Sequence, residues 1–399
     1  MATFAVVGFS AHTRGFFAGR EATEQALRSL AHERGAGVVL PLSALLLFST
    51  CGYDQASLVA GVRSIAGDVP VAGCSAEGVI TQHGAREGAY AVAVLALFSD
   101  RWRCHALCER QMSLRGAEAG TSLAQRVRQV TRDERAVVLV FMDGLSRRGP
   151  EAIGALEAAA GPNYQIVGGG AADMFRFRRT YQYFADEVLS DGLVALVIQG
   201  CRAAEIAVGC GCVPLGLPRL VTRSDGHVVA EIDHQPAWTL MREYVDAADD
   251  AREVSTLAHL AVMVHGDAGK VAAVRSPYRV ERREGAVHFI SGLDEGRVIQ
   301  MTRRNPETLR GSVQRVAASM RERQGGRLPQ VVLQIEDVFR GRLLLGDRTD
   351  EILVSPLAEG FGQGSAWIGF FSFCGLASVG GSLQVHNDAL VLCALYDFD

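Results

Sequence analysis

The sequence predicts an α/β protein built from repeated strand–helix–strand units, and three observations support this. Short continuous runs of Val, Leu and Ile are typical of strands covered on both faces. Helix-forming stretches alternate with these runs and can provide that cover. A glycine-containing turn follows the second run of each unit. Together these features predict an α/β fold, and the raised glycine and proline density across Gly209–Pro218 predicts a boundary between two regions near residues 205–220.

The first unit begins with the apolar run Ala44–Phe48, which predicts a strand, and continues with a predicted helix over Gln55–Ile65. A second run, Val69–Ala72, leads directly into a Gly-Cys-Ser turn at 73–75. The run Ala89–Phe98 predicts the strand that closes the unit.

The second unit repeats this order. Val137–Met142 predicts its first strand, and Pro150–Ala160 predicts a helix with proline in the favourable first turn. Gln165–Val167 then runs into three glycines at 168–170. Gly192–Ile198 predicts the last strand of the unit.

The third unit has a weaker middle but the same ends. Val331–Ile335 predicts its first strand, the segment Trp367–Gly375 its second strand and turn, and Ala389–Leu395 its last strand. A separate segment, Val221–Leu293, lies before it and carries several short strand candidates and a predicted helix at Pro236–Tyr244. A further helix is predicted to end near residues 325 and 326.

Composition excludes several classes of function. The chain has 399 residues, 48% of them hydrophobic, and a formal net charge of −4. That charge gives no general attraction to nucleic acid or anionic lipid. No stretch is long and apolar enough to predict a transmembrane helix, and no signal peptide is predicted. The nine scattered cysteines favour a reducing, cytoplasmic compartment.

Common catalytic and nucleotide-binding motifs are missing. No Walker A or dinucleotide fingerprint occurs in the required context, and the stretch Gly266–Lys270 is too short for a phosphate loop. Lys270 is the single lysine among 40 basic residues, which makes it a candidate ligand contact. The spacings Cys104/Cys108 and Cys210/Cys212 do not form a zinc site and indicate ordinary buried thiols. The aromatic strip Met174–Phe184 has a period of two, which favours a half-exposed hairpin strand over a base-stacking surface.

Several short motifs, taken in order, resemble the FIST proteins, which are intracellular sensory proteins found alone or fused to signal-transduction modules. The residues that carry the resemblance span about 35–397. They are Gly73-Cys74-Ser75, Gly169-Gly170-Ala171-Ala172-Asp173, Pro214-Leu215-Gly216, Val221-Thr222-Arg223, Pro236-Ala237, Gly369-Phe370-Phe371 and His386-Asn387. The resemblance implies a FIST N-like domain at 1–205 and a FIST C-like domain at 206–399.

The resemblance also implies a function. Family members are proposed to bind small ligands such as amino acids, and they act with signalling partners such as histidine kinases. Some bind haem and sense nitric oxide, which makes His386 a candidate axial ligand. An enzyme is the other alternative, with Cys74 or Cys374 as nucleophile and His386 as base.

This chain departs from the family pattern at three positions. A glutamate that often follows the Gly-Cys-Ser turn is replaced by Val79, the late Phe373-Cys374-Gly375 stretch lacks an acid, and Ala389 stands in place of a threonine. A buried ligand ammonium needs a carboxylate partner. Glu77 is the nearest substitute, and without it we expect a less cationic ligand.

Small-molecule sites favour seams between structural units. We therefore expect one pocket in which the glycine turns of the first two units face the late strand of the third, with Asp173 as the main carboxylate. The candidate ligand-binding residues are Cys74, Ser75, Glu77, Gly169, Gly170, Asp173, Lys270, Phe373, Cys374, His386 and Asn387.

Overall fold

A computed structural model describes residues 3–33, 40–88, 90–245, 257, 259–266, 271–281, 283–361, 364–379 and 381–397. The candidate ligand contact Lys270 lies outside the described residues. Within them the predicted α/β fold is confirmed.

The first unit contains six strands and two helices. They are β1 (Thr3–Ser10), α1 (Gly15–Glu33), β2 (Leu42–Thr50), α2 (Gln55–Ala66), β3 (Val71–Ala76), β4 (Gly78–Thr81), β5 (Gly84–Glu87) and β6 (Val92–Ser99). The Asp54 side chain accepts a hydrogen bond from the Ser57 N–H at the start of α2, and Gly67, with φ of 66°, ends this helix. Both positions follow the usual capping preferences, so the local sequence sets the bounds of α2.

The second unit has the same order. Its elements are β7 (Arg103–Arg110), α3 (Met112–Thr131), β8 (Ala136–Met142), α4 (Gly149–Ala160), β9 (Tyr164–Gly170), β10 (Gln182–Phe184), β11 (Glu187–Leu189) and β12 (Gly192–Gln199).

The third unit begins with β13 (Ala203–Gly209) and is then interrupted by an inserted sheet. The elements of the insert are β14 (Val213–Pro214), β15 (Arg219–Asp225), β16 (Val228–Ile232), β17 (Gln235–Pro236), α5 (Ala237–Met241), β18 (Val262–His265), β19 (Val271–Arg275), β20 (Pro277–Glu281), β21 (Ala286–Phe289) and β22 (Val298–Arg303). These nine strands form a separate sheet with its own core, which includes Val221, Val287 and Phe289.

The third unit resumes after the insert. Its remaining elements are α6 (Pro306–Arg323), β23 (Val331–Asp337), α7 (Arg342–Leu345), α8 (Ser355–Phe361), β24 (Ala366–Ser372), β25 (Cys374–Val379), β26 (Ser382–His386) and β27 (Leu390–Tyr396). Helix α6 starts with a capping box between Asn305 and Thr308, with Pro306 in its first turn.

Each unit builds the same four-stranded sheet. The strand orders are β1-β6-β2-β3, β7-β12-β8-β9 and β13-β27-β23-β24. In each sheet the first and second strands of the predicted strand–helix–strand unit pair in parallel, as β2 with β3, β8 with β9 and β23 with β24. The predicted repeat is therefore confirmed, since the three glycine-turn strands occupy equivalent places.

The hairpin that follows each parallel pair leaves its own sheet and joins another. Strand β4 of the first unit pairs with β24, β10 of the second pairs with β3, and β25 of the third pairs with β9. Each sheet thereby gains two strands and becomes six-stranded. The exchange is cyclic, so every unit both gives and receives a hairpin.

The core is organised in layers around this arrangement. One apolar cluster collects inward-facing side chains of all three sheets, among them Phe48, Phe141 and Phe370. Three further clusters lie on the outer faces under the helices: one under α1 and α2, one under α3 and α4, and one under α6 and α8. The three sheets thus share one interior.

The sequence interpretation missed some elements and misplaced one. Strand β1 with helix α1, and strand β7 with helix α3, open their units but were not predicted. The aromatic strip was wrongly assigned to a hairpin strand: only its last residues, in β10, are extended, and Phe175 and Phe177 lie in a loop. Within the described residues, no helix combines the length and apolar character that crossing a membrane requires.

Candidate functional site

Three equivalent glycines bring neighbouring strands unusually close. Gly73, Gly168 and Gly369 lie opposite Leu47, Val140 and Gln334 in the parallel pairs. A Cβ atom at any of them would overlap the backbone carbonyl oxygen of the facing residue. Glycine is required at these positions because of that close approach.

Beyond these glycines, the ends of the second strands meet. The Ala172 N–H donates to the Ser75 carbonyl (3.0 Å), the Glu77 N–H donates to the Phe371 carbonyl (3.0 Å), and the Phe373 N–H donates to the Gly170 carbonyl (3.1 Å). The three units therefore converge at one place through backbone hydrogen bonds. We call it the junction: residues 75–77, 170–173 and 371–373.

The side chains of two predicted polar residues, Ser75 and Asp173, form hydrogen bonds that stabilise the junction and the loop after it. The buried Ser75 hydroxyl donates to the Ala172 carbonyl (2.8 Å) and accepts from the Tyr181 N–H (3.0 Å). The Asp173 carboxylate accepts three backbone N–H groups, from Phe177 (2.9 Å), Arg178 (2.6 Å) and Arg179 (3.0 Å). Asp173 therefore fixes the loop 174–180, as a short acidic side chain often does in a turn.

The loop that Asp173 holds has strained backbone conformations. Met174, Phe175 and Phe177 have φ angles of 61°, 53° and 49°. Left-handed conformations cost bulky residues about 1–3 kcal/mol each, and they gather at ligand clamps and switch regions. Only the surrounding contacts keep this loop in place.

Glu77 lies under this loop, at the centre of the junction. It is 7% exposed, and its Oε2 atom has no hydrogen-bond partner. Burial, and then the charges of Glu87 and Asp173, raise the pKa of Glu77 to about 8, while the N–H groups of Phe175 and Met174 act in the opposite direction. Glu77 is therefore protonated at neutral pH, and its Oε2 atom is buried without a hydrogen-bond partner.

A second carboxyl, Glu87, lies in the hairpin that the first unit gives to the third. It accepts the Arg342 N–H (2.8 Å) and the Thr349 hydroxyl (3.2 Å), and burial raises its pKa to about 7. Glu87 lines a polar cavity of about 370 Å³ together with Arg86, Arg342, Asp347, Thr349 and Asp350.

The predicted thiols are in apolar surroundings. Cys74 and Cys374 are buried; burial raises the pKa of Cys374 to about 12 and that of Cys74 well above its usual range. Both thiols are therefore held in the protonated form, which is a poor nucleophile. The pairing of either with His386 stays a prediction.

His386 is half-buried in β26, and its Nε2–H donates to the Ala377 carbonyl (3.1 Å). This bond fixes the tautomer and leaves the lone pair on Nδ1. Burial lowers the pKa of the imidazole. His386 lines neither the cavity at Glu87 nor two other cavities of about 470 and 660 Å³. A half-buried imidazole that lines none of these cavities does not fit a haem-binding site.

The remaining predicted residues connect the junction to the inserted sheet. The Asn387 amide donates to the Phe373 carbonyl (3.2 Å), and its Oδ1 atom is buried without a partner. The Phe373 ring stacks on Phe177, with centroids 5.3 Å apart, and Phe177 in turn contacts Tyr278 of the insert. Gly169 and Gly170 pair with β25 beside Cys374.

Sequence reasoning missed a group of buried charges around the end of β23. Glu336 and Arg340 form a fully buried ion pair (2.7 Å), Asp337 lies beside them, and Arg304 pairs with Asp388. Burial raises the pKa of Asp337 to about 7. The sequence signal for this group is the pair of acidic residues at the end of an apolar strand. Asp337 has the position in the third unit that Asp143 has after β8 in the second.

The pair Cys210 and Cys212 also differs from the expectation of ordinary buried thiols. The pKa of Cys210 is lowered because the Cys212 thiol donates a hydrogen bond to it and the Arg340 guanidinium lies nearby. Both cysteines line a cavity of about 660 Å³ between β13 and α6. Among the described residues, no cluster of three or more His, Cys, Asp or Glu side chains is arranged to hold a metal ion.

Comparisons with known proteins agree with the motifs. Residues 43–235 match the FIST N domain and residues 237–377 match the FIST C domain. An uncharacterized protein of Mycobacterium tuberculosis is 26% identical over 316 residues, covering 75% of this chain and 79% of that protein. An uncharacterized protein of Mycobacterium bovis is 25% identical over 387 residues, covering 92% of each. The chain therefore belongs to the FIST family of signal-transduction sensor domains.

Proposed function

We propose that this protein is a cytoplasmic sensor that binds a small amine-bearing molecule at the junction. The observation that carries the proposal is the free Oε2 atom of Glu77, which is buried where all three units meet. Buried polar atoms without a partner are rare in folded proteins, and a missing ligand is one explanation for them. Family membership supports the sensory role.

The electrostatics of the junction favour a cation. Glu77 is surrounded by the carboxyls of Glu87 and Asp173, which together with burial keep its proton in place. An ammonium group beside Glu77 favours the ionised carboxylate instead, because opposite charges within a few ångströms lower a carboxyl pKa. Binding therefore releases a proton at pH values below about 8.

The same residue connects binding to the strained loop. The N–H groups of Met174 and Phe175 face the Glu77 carboxyl. A carboxylate that the ligand has ionised accepts these N–H groups more strongly than the protonated carboxyl does, so binding holds the left-handed backbone of the loop more firmly. The loop carries the exposed Arg176, Arg178 and Arg179, so this ordering changes the surface offered to an acidic signalling partner such as a kinase.

The first experiment is a thermal-shift screen of the standard amino acids and putrescine, followed by calorimetry of the best probe in buffers with different ionisation heats. We expect a rise in melting temperature and the release of a proton on binding. Glu77→Gln should abolish both, since a neutral amide cannot pair with an ammonium. The exposed Glu118→Gln is the matched control and should behave as the wild type.

Two outcomes would overturn the proposal. One is that no amine in the screen changes the melting temperature. The other is binding that persists in Glu77→Gln with the same proton release, which would place the ligand elsewhere.

A further inference from the structure

A cavity of about 470 Å³ lies where the second unit, the third unit and the inserted sheet meet. It is lined by Pro150 and Ile153 of α4, by residues 383–385 of β26 and by residues of the inserted sheet. The volume lies within the roughly 300–1,000 Å³ range of small-molecule sites. None of its lining residues belongs to the junction.

Arg275, the last residue of β19, lines this cavity and is half-buried. Its Nε–H donates to the Gly292 carbonyl (3.1 Å) and an Nη1–H donates to the Val274 carbonyl (3.0 Å). These bonds fix the plane of the guanidinium. They use two of its five N–H donors.

Arg275 has no carboxylate partner at ion-pair distance among the described residues, although Asp294 acts on its charge from further away. Burial lowers its pKa, which records the cost of bringing this charge out of water. A guanidinium cannot relieve that cost by losing its proton, so it is stabilised by an anion.

The other polar groups of the cavity point to the same chemistry. Arg297 contributes a second guanidinium at the exposed rim, so two arginines face the single carboxylate of Asp294. The buried Ser291 adds a hydroxyl. His227 lines the same wall and donates its Nδ1–H to the Phe289 carbonyl (3.2 Å).

We propose that this cavity is a second ligand site, which binds a small oxyanion, either a carboxylate or a phosphate, through Arg275 with Arg297 at its entrance. A planar guanidinium matches both groups because it can donate two parallel hydrogen bonds to two oxygens. The site goes beyond the proposed function, since it takes a ligand of opposite charge on different residues.

Anion binding at Arg275 should also affect His386 in the third unit. The positive charge of Arg275 contributes to the lowered pKa of His386, after the larger effect of burial. An anion on Arg275 offsets that charge, so the pKa of His386 should rise when the cavity is filled. His386 thus reports occupancy without touching the ligand.

The test measures binding of inorganic phosphate and of succinate to the full chain by thermal shift and calorimetry, with sodium chloride at matched ionic strength as the reference. We expect saturable stabilisation by at least one probe, and the comparison of the two distinguishes phosphate from carboxylate ligands. A parallel NMR titration of the His386 imidazole should show its pKa rising with the effective probe and unchanged with chloride.

Variants separate this site from its surroundings. Arg275→Gln should abolish saturable binding, and Arg297→Gln should weaken it about tenfold, which corresponds to 1.4 kcal/mol. Gln384→Trp places a large side chain in the cavity from β26 while both arginines stay in the sequence, and it should also block binding. The exposed Arg279→Gln in β20 is the control for loss of positive charge and should bind normally.

The proposal fails if neither probe binds beyond the chloride reference, or if a folded Arg275→Gln or Gln384→Trp protein still binds with wild-type affinity. Glu77→Gln keeps this result separate from the junction: it should leave oxyanion binding unchanged. Loss of amine binding alone therefore says nothing against the oxyanion site.

Discussion

The ring of Phe48 in β2 stacks on the ring of Phe370 in β24, with centroids 4.4 Å apart and planes inclined by 24°. Phe141 of β8 meets Phe48 edge-on at 5.3 Å and Phe370 at 6.0 Å. One aromatic side chain from each unit therefore meets in the shared interior. All three rings are fully buried, so the packing of the units depends on this contact.

Phe370→Ala should destabilise the protein by about 3–5 kcal/mol, because it removes a buried ring and leaves a cavity among three sheets. Phe17→Ala is the control: Phe17 is 45% exposed, and its loss should cost less than about 0.5 kcal/mol. Urea unfolding followed by circular dichroism measures both. Similar unfolding midpoints for the two variants would contradict a central role for the aromatic contact.

Gly168→Ala should destabilise the fold by at least about 2 kcal/mol, because the new methyl group meets the Val140 carbonyl and pushes two paired strands apart. Gly154→Ala makes the same chemical change on the exposed face of α4, with no atom near the new methyl group. It should stabilise the protein by about 1 kcal/mol, the usual gain for alanine over glycine in a helix. We therefore expect Gly168→Ala to lower the free energy of unfolding and Gly154→Ala to raise it, as measured by urea denaturation. A change in the same direction for both variants would contradict the close approach of the two strands.

These residues also show what the sequence could predict. Apolar runs such as Val137–Met142 marked the central strands of every unit, because strands covered on both faces have few polar residues. The strands that open each unit were harder to see: β7 mixes exposed and half-buried positions at a sheet edge, so its pattern is weak. The hairpin exchange could not be predicted, since pairing between distant segments leaves no mark on local composition.

The sequence also predicted only part of the candidate site, namely its location. The glycine turns located the junction because Gly73 and Gly168 are required where their strands approach Leu47 and Val140 of the neighbouring strands. The division of roles among its acids was not predictable. Asp173 turned out to bind backbone N–H groups, whereas Glu77 has the free oxygen, and this difference depends on contacts across two units.

Stability should fall as the pH rises from the ordinary carboxyl value of 4.5 towards about 8, because the folded protein holds the Glu77 proton more tightly than the unfolded chain does. One such group contributes a slope of at most about 1.4 kcal/mol per pH unit. Glu77→Gln should flatten the curve of unfolding free energy against pH, measured by urea denaturation. Part of the slope should remain, since the pKa values of Glu87 and Asp337 are also raised to about 7. A variant curve as steep as that of the wild type would show that Glu77 is not protonated at neutral pH.

Cys210 should react with iodoacetamide at neutral pH before Cys51 and Cys201, which are half-buried like it but have pKa values raised to about 11. The reason is the thiolate of Cys210, which the Cys212 thiol and Arg340 stabilise. Peptide mapping by mass spectrometry follows the three rates. Cys212→Ala removes the donor and should slow Cys210, and equal rates for all three cysteines would refute the assignment.

The hairpin exchange also constrains how the chain can be made and divided. During synthesis, β4 and β5 leave the ribosome long before β24, with which β4 pairs in the third sheet, so this hairpin has no sheet to join until β24 is made. Pairing between such distant segments slows folding, and unpaired strand edges favour aggregation in the meantime. No cut between units yields an intact sheet on both sides, so a truncated fragment lacks strands that only the rest of the chain can provide. A protein with only one of these units would need further copies to complete its sheet. The cyclic exchange would arrange those copies in a ring.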